Sequence, residues 1–299
     1  MPKKNNVLVT GANGFVGINL VKQLSKSNYE IISLVKNDKN LKLISGISKV
    51  VHGDISDKNS LEKIFRENKI CYVIHLAAII RTRDFPVTYQ TNVIGTKNIV
   101  ELCKKYKIHK LLFLSTDFVM YKTVKNYYQM TKKLAERIIV SSGVNYIILR
   151  PSVMFGKGDD KNFISLIDFI KKYFIIPVPI GLTLSPIYVG NVSEAMINSL
   201  ENVSTNKKVF YLTGKDFITF NRIFEMISNN LKLRRIFIPI PVFLFKILIF
   251  FYEKIIPNPP IFFYQVDKWS KHKTTFHTPS KNNLNVEPIS FEEGLKFIV

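Results

Sequence analysis

Apolar residues along the first half of the chain follow two alternating rhythms. A short unbroken run at 7–10 gives way to apolar positions at Phe15, Ile18, Val21 and Leu24, the spacing of one helix face. Further runs at 30–35, 49–52, 71–76, 110–115 and 145–149 predict strands, and the patterns at 57–67, 87–105 and 128–141 predict helices. Ser56 or Asp57 is the candidate N-cap of the helix over 57–67. The run at 71–76 is apolar at almost every position, as in a sheet covered on both faces. Strands alternating with helices at this period, joined by right-handed crossovers, predict an α/β fold, a doubly wound parallel sheet of the Rossmann type.

After Pro151 the rhythm breaks, and Gly156, Gly158, Pro177, Pro179, Gly181 and Pro186 punctuate shorter elements. Residues 1–152 with about 186–212 are expected to form the sheet domain, and about 153–185 with 213–299 a smaller C-terminal substrate lobe. The most apolar stretch is 236–252, interrupted by Pro239, Pro241 and Lys246. It falls short of the roughly 20 predominantly apolar residues a membrane span needs. Three readings of it stay open: a core helix starting near Pro241, a lid over an apolar pocket, or an interfacial helix at a lipid surface. In the last, Arg234, Arg235, Lys246 and Lys254 would form the basic flank.

Composition adds two things. With 46% hydrophobic and 22% charged residues the chain can bury a sizeable core, which excludes long disorder. The formal charge of +21 is mostly scattered lysine, with no nucleic-acid-binding motif beside it. No nucleic-acid partner is therefore expected; a basic surface, or attraction of anionic lipids or substrates, accounts for the charge. Cys71 and Cys103 make no disulfide framework, and residues 1–10 do not read as a signal peptide, so a cytoplasmic location is expected. His52, His75, His109, His272 and His277 show no metal-ligand spacing, and no nucleophile–histidine–acid set stands out. No metal is expected.

The sharpest motif is Thr10-Gly11-Ala12-Asn13-Gly14-Phe15-Val16-Gly17, between a strand and a helix. Gly11 permits the tight turn, Gly14 lets backbone approach a pyrophosphate, and Gly17 lets helix pack close on sheet. Phosphate charge then meets the helix N-terminus. Small Ala77 and Ala78 after a strand suit close approach of a cofactor. Tyr128 and Lys132 stand four apart, on one helix face. A lysine ammonium one turn away would stabilise a phenolate, lowering a phenol pKa of about 10 toward the range of a general acid/base.

The Gly-x-x-Gly-x-x-Gly spacing resembles the extended short-chain dehydrogenase/reductase superfamily, that is, the NAD-dependent epimerase/dehydratase family. The resemblance continues through His52-Gly53-Asp54-Ile55, His75-Leu76-Ala77-Ala78, Thr91-Asn92-Val93-Ile94-Gly95-Thr96, Ser115-Thr116-Asp117, Tyr128 to Glu136 and Arg150-Pro151-Ser152-Val153-Met154-Phe155-Gly156. It is looser over Ile187-Tyr188-Val189-Gly190-Asn191-Val192 and the closing 279–295. It implies Thr116, Tyr128 and Lys132 as catalytic residues. It implies cofactor contacts from Gly11, Asn13, Gly14, Phe15, Val16, Gly17, Lys36, Asp54, Ile55, Leu76, Ala77, Ala78, Asn92, Ser115, Tyr128, Lys132, Pro151 and Val153.

Lys36, first after the second strand, could pair with a 2′-phosphate and favours NADP over NAD, although Asp38 could swing in to hold a ribose. Phe118 stands where resembling dehydratases carry a Glu, and no Arg precedes Ile187 as it does in sugar-nucleotide epimerases. The chain therefore resembles most the 3β-hydroxysteroid dehydrogenase-like or dihydroflavonol reductase-like branch. The expectation is hydride transfer between NAD(P) and a secondary alcohol or ketone, steroid- or lipid-like. A nucleotide-sugar 4-epimerase and a non-catalytic cofactor-binding scaffold are the alternatives. The expected partner is a small apolar substrate, with a homodimer and peripheral membrane contact left open.

Overall fold

Strand β1 (Asn5–Thr10) holds Val7, Leu8 and Val9 wholly out of solvent because it lies mid-sheet with helices on both faces. The computed structural model describes residues 5–80, 84–121, 126–159, 163–256, 261–270 and 284–298. Strands β2 (Tyr29–Val35), β3 (Lys49–His52), β4 (Tyr72–His75), β5 (Lys110–Leu114), β6 (Tyr146–Pro151) and β11 (Lys208–Leu212) complete a seven-stranded sheet. Their order is β11-β6-β5-β4-β1-β2-β3, and every pairing is parallel. The order reverses between β1 and β4, where ligand clefts open in such sheets.

Alternation along β1 sends Val7 and Val9 to one face and Leu8 to the other. On the first face they meet α1 (Phe15–Leu24) and α7 (Val189–Leu200), through Leu20, Val21 and Met196. On the second, α2 (Lys58–Asn68), α4 (Gly95–Lys105) and α5 (Tyr127–Ser141) bring Phe65, Leu102 and Ile139. Asp57 caps α2, accepting from the N–H groups of Asn59 and Ser60.

The pattern over 87–105 predicts one helix, and the chain departs from it. Helix α3 (Phe85–Tyr89) passes into a wider π turn at Gln90–Ile94 before α4 begins. Asn92, within that turn, donates to Ile79 O and Thr131 Oγ1 and accepts from Ile79 N–H. Those bonds to a neighbouring loop and helix reward a local widening of the ladder.

Beyond Pro151, α6 (Phe163–Lys172), α8 (Phe220–Asn230) and α10 (Phe263–Ser270) gather a third core around Phe155, Phe224 and Trp269. Short strands pair there: β7 (Met154–Phe155) with β10 (Ile187–Tyr188), β9 (Thr183–Leu184) with β12 (Ile218–Thr219), and β8 (Ile175–Pro179) with β13 (Ile236–Ile240). Helix α9 (Val242–Ile255) follows Pro241. Leu284 and Val286 return to the first core, and α11 (Phe291–Leu295) starts on a capping box of Ser290 and Glu293. His272, His277 and the stretch 279–281 lie outside the described residues.

Candidate active site

A cleft of about 400 Å³ opens over the C-terminal ends of β1, β4 and β5. One wall is the glycine turn. Gly11 adopts φ +67°, and a Cβ there would come within 2.9 Å of Ala77 backbone. A Cβ on Gly17 would meet Gly11 O at 2.3 Å, so α1 can start this close to β1 only with glycine at that position. No side chain caps α1 and no acid lies in its first turn, which leaves its N–H groups turned toward the cleft as an anion site.

The opposite wall, Leu76 to Ile80, is tied to that turn through a buried relay. His75 bonds Thr10 Oγ1 at 2.7 Å and Thr96 Oγ1 at 3.0 Å, while Leu76 N–H and Ala77 N–H donate to Thr10 Oγ1. Burial pulls the His75 imidazole down to about 3, and nearby Lys132 adds to this, so it stays neutral and serves structure.

The floor carries the reactive groups. Ser115, Tyr128 and Lys132 all line the cleft. Asn126 caps α5, accepting from Tyr128 N–H at 2.8 Å, and so fixes where the helix begins. Lys132 donates to Leu114 O at 2.6 Å and lies 3.8 Å over the Phe113 ring. Burial lowers its ammonium to about 7, with Glu136 acting against the shift. Glu136 is itself held by Arg150 Nε at 3.0 Å, which ties α5 to β6. The Tyr128 phenol stands on the same floor. Burial pushes it above its usual range, with Asp117 and Tyr264 adding to the rise. With its ammonium lowered toward neutral pH, Lys132 does not offset that rise.

Ser115 Oγ is buried and, among the described residues, has no hydrogen-bond partner. An orphaned hydroxyl on the cleft floor is the mark of a group waiting for a ligand oxygen. Thr116, expected at the reacting oxygen, is placed differently. Its Oγ1 accepts from Phe118 N–H and lies 3.4 Å from Asp117 Oδ1, capping the next turn rather than lining the cleft. Asp117 pairs with Lys268 of α10 at 2.6 Å, and the Lys268 ammonium also sits 3.9 Å over the Phe118 ring.

At the far end, Lys36 pairs with Asp54 at 2.7 Å. Burial alone would raise the Asp54 carboxyl; Lys36 and the Ser56 N–H and O–H hold it below the usual carboxylate range. Asp38 does not swing into the cleft but meets His52 at 2.8 Å.

The structure thus brings Gly11, Asn13, Gly14, Phe15, Val16 and Gly17 to the cleft together with Lys36, Asp54, Ile55, Leu76, Ala77 and Ala78. Asn92, Pro151 and Val153 lie off it. Asn92 instead holds the Ile79 backbone, Pro151 is a buried sheet position, and Val153 borders a cavity of about 30 Å³ in the third core. Sequence reasoning missed Lys39, Asn40, Ile79, Ile80, Gly158 and Asp159, which also line the cleft. Only Gly158, with φ +89°, left a signal, a second glycine just after Gly156. Among the described residues no group of three His, Cys, Asp or Glu could hold a metal.

The donors and the room fit a dinucleotide: a glycine cradle that any Cβ would fill, an uncapped helix start and an orphaned hydroxyl. Comparison with known proteins agrees. The model of the NAD dependent epimerase/dehydratase family matches residues 7–211. A provisionally named UDP-glucose 4-epimerase of Methanocaldococcus jannaschii is 33% identical, covering 76% of this chain and 83% of its own. A decarboxylating sterol-4-alpha-carboxylate 3-dehydrogenase of Schizosaccharomyces pombe is 25% identical over 72% of each chain. The fold also superposes on a dTDP-glucose 4,6-dehydratase of Bacillus anthracis, solved with NAD. That match has TM-score 0.72 and 23% identity, covering 98% of this chain and 94% of that one.

Proposed function

This chain belongs to the NAD dependent epimerase/dehydratase family, and from that premise we propose that it transfers a hydride between NAD(P) and a secondary alcohol or ketone, with Tyr128 as general acid/base. One observation carries the reading: Ser115, Tyr128 and Lys132 converge on the floor of the cleft that the glycine turn walls. When bound, the nicotinamide supplies or accepts the hydride. The protein's own part is position and protons. The α1 N-terminus and Gly14 would hold the pyrophosphate, and Lys132 the nicotinamide ribose. Ser115 would offer its free hydroxyl to the substrate oxygen, and Tyr128 would give or take the proton there.

An apolar, lipid-like alcohol suits this cleft better than a sugar nucleotide. Ile79, Ile80, Leu114 and Met154 line it, and 181–186 supplies no arginine for a second pyrophosphate. One relative bears the name of a sterol dehydrogenase. A 4-epimerase is the second reading, favoured by the 33% identity to the M. jannaschii protein. It would use the same residues without net change of the cofactor. The two separate in one assay. Net reduction of NAD(P) with sterol-like secondary alcohols supports the dehydrogenase. Conversion of UDP-glucose to its 4-epimer with no net reduction overturns it.

Cofactor choice follows from the β2 end. Lys36 and Lys39 both line it, Lys36 beside its partner Asp54, while Asp38 lies off it against His52. NADP is expected to bind a few-fold tighter than NAD, and Lys36→Ala to remove the preference. Calorimetric titration of both cofactors checks this; a tenfold preference for NAD would refute the role given to Lys36.

A further inference from the structure

Helix α9 carries Val, Leu, Ile, Phe or Tyr at all but three of its 14 positions, yet only Phe245 and Ile249 are buried. Those two stand four apart and define one narrow inward stripe. Most of the rest of the helix is turned out: Phe243 is 63% exposed, Phe251 57% and Ile255 76%. None of 236–252 lines the cleft, so the lid reading of this stretch fails. Nor is it an ordinary core helix, since a core helix hides most of its apolar surface.

The apolar face extends beyond the helix. β13 pairs with β8 so that Ile236 lies beside Ile175, and Ile236 N–H donates to Phe174 O at 2.9 Å. Phe174, Ile175, Ile236 and Ile238 are all exposed there. Exposed apolar side chains gathered in this way mark an interaction surface.

Its charge says which kind. Segments 171–180 and 231–256 contain seven Lys or Arg and a single acid, Glu253. Glu253 is turned inward, accepting from Phe263 N–H at 3.0 Å. Lys246, expected on the basic flank, is also turned inward, bonding Asp267 at 2.9 Å. Arg235 is spent on the carbonyls of Ile170 and Lys171. The cations left along the border are Lys171, Lys172, Lys232, Arg234 and Lys254, all exposed. Lys172 lies 5.3 Å over the Tyr173 ring, and Lys254 4.3 Å over Phe250, so cation and aromatic group alternate at the edge of the patch.

We propose that this face of the C-terminal lobe docks on an anionic lipid bilayer, with α9 lying in the plane of the interface. At 1.5 Å per residue a helix this long measures roughly 20 Å, too short for a hydrocarbon core of about 30 Å. No helix among the described residues is long and apolar enough to cross a membrane. A second copy of the chain fits poorly, because self-pairing would set this cationic border against itself. The bilayer instead takes the aromatic and aliphatic side chains while its headgroups meet the lysines. The docking is independent of the reaction proposed above.

Flotation of the full chain with vesicles tests it. Binding is expected to phosphatidylcholine vesicles containing phosphatidylglycerol, and to weaken in high salt. A Phe243→Ser/Phe251→Ser variant should lose at least about tenfold in partitioning, since both rings leave water only on docking. Lys171→Glu/Arg234→Glu should lose binding to the anionic vesicles while NAD(P) titration stays unchanged. All these positions are exposed and outside the cleft lining, so cofactor binding reports an intact fold. Absence of flotation with every vesicle overturns the proposal. So does undiminished flotation of the Phe243→Ser/Phe251→Ser variant, or a dimer in sedimentation that this variant dissolves while vesicles fail to bind.

Discussion

Turnover is expected to fall by on the order of 10²–10⁴-fold when Tyr128 is replaced by Phe, the range that one positioned acid/base supplies. Affinity for the cofactor should stay within a few-fold. The substitution keeps the ring on the cleft floor and removes only the hydroxyl, so the binding surface survives and the proton does not. The environment also fixes the sign of the pH dependence. Burial, Asp117 and Tyr264 push the phenol up, so it is protonated at neutral pH. Ketone reduction can use it as found, whereas alcohol oxidation needs the phenolate, and the oxidation rate is expected to rise with pH. Lys132→Met serves as the contrast: it should weaken both turnover and cofactor binding, because this ammonium is expected to touch the nicotinamide ribose. Steady-state kinetics in both directions, with cofactor titration of each variant, check this. Full activity in Tyr128→Phe would mean that another group moves the proton.

Local chemistry made the glycine turn and the Tyr128/Lys132 pair legible in the sequence. A tight turn, a close helix start and a one-turn spacing each need particular residues at adjacent positions. Ser115 and Thr116 show where that stops. Both are hydroxyls just past the end of β5, and the turn that Thr116 caps leaves Ser115 to the cleft. The break inside 87–105 left no trace because the apolar spacing runs on through the π turn. For α9, the apolar pattern is what a core helix would show. Its exposure depends on no other described element covering it, which no local window reveals. The Asp117–Lys268 pair is the extreme case, since its members are 151 residues apart. Lys268 sits on a helix whose sequence gives no reason to single it out.

That pair supplies the second large effect. Lys268 is buried, with its side chain 4% exposed against 20% for Asp117, and it fastens α10 of the C-terminal lobe to the turn after β5. Burial lowers its ammonium, with the Asp117 carboxylate and their hydrogen bond holding it up. A buried pair is of little net worth when formed, but removing one member strands the other charge. Lys268→Met is therefore expected to destabilise the protein by about 2–3 kcal/mol, the lower side for a buried pair because Asp117 retains some contact with solvent. The stranded carboxylate also acts on the Tyr128 phenol, already raised by Asp117. Alcohol oxidation by the variant should then need a higher pH than in the parent. Asp117→Asn/Lys268→Met leaves no unpaired charge and should recover most of the lost stability, a coupling that a mere packing defect would not give. Chemical denaturation of the parent, both single variants and the double variant measures the cycle. A Lys268→Met protein within about 0.5 kcal/mol of the parent, the usual range for an uninvolved surface site, would show that the pair does not carry the junction. A double variant no more stable than Lys268→Met would show that the loss comes from packing and not from the stranded charge.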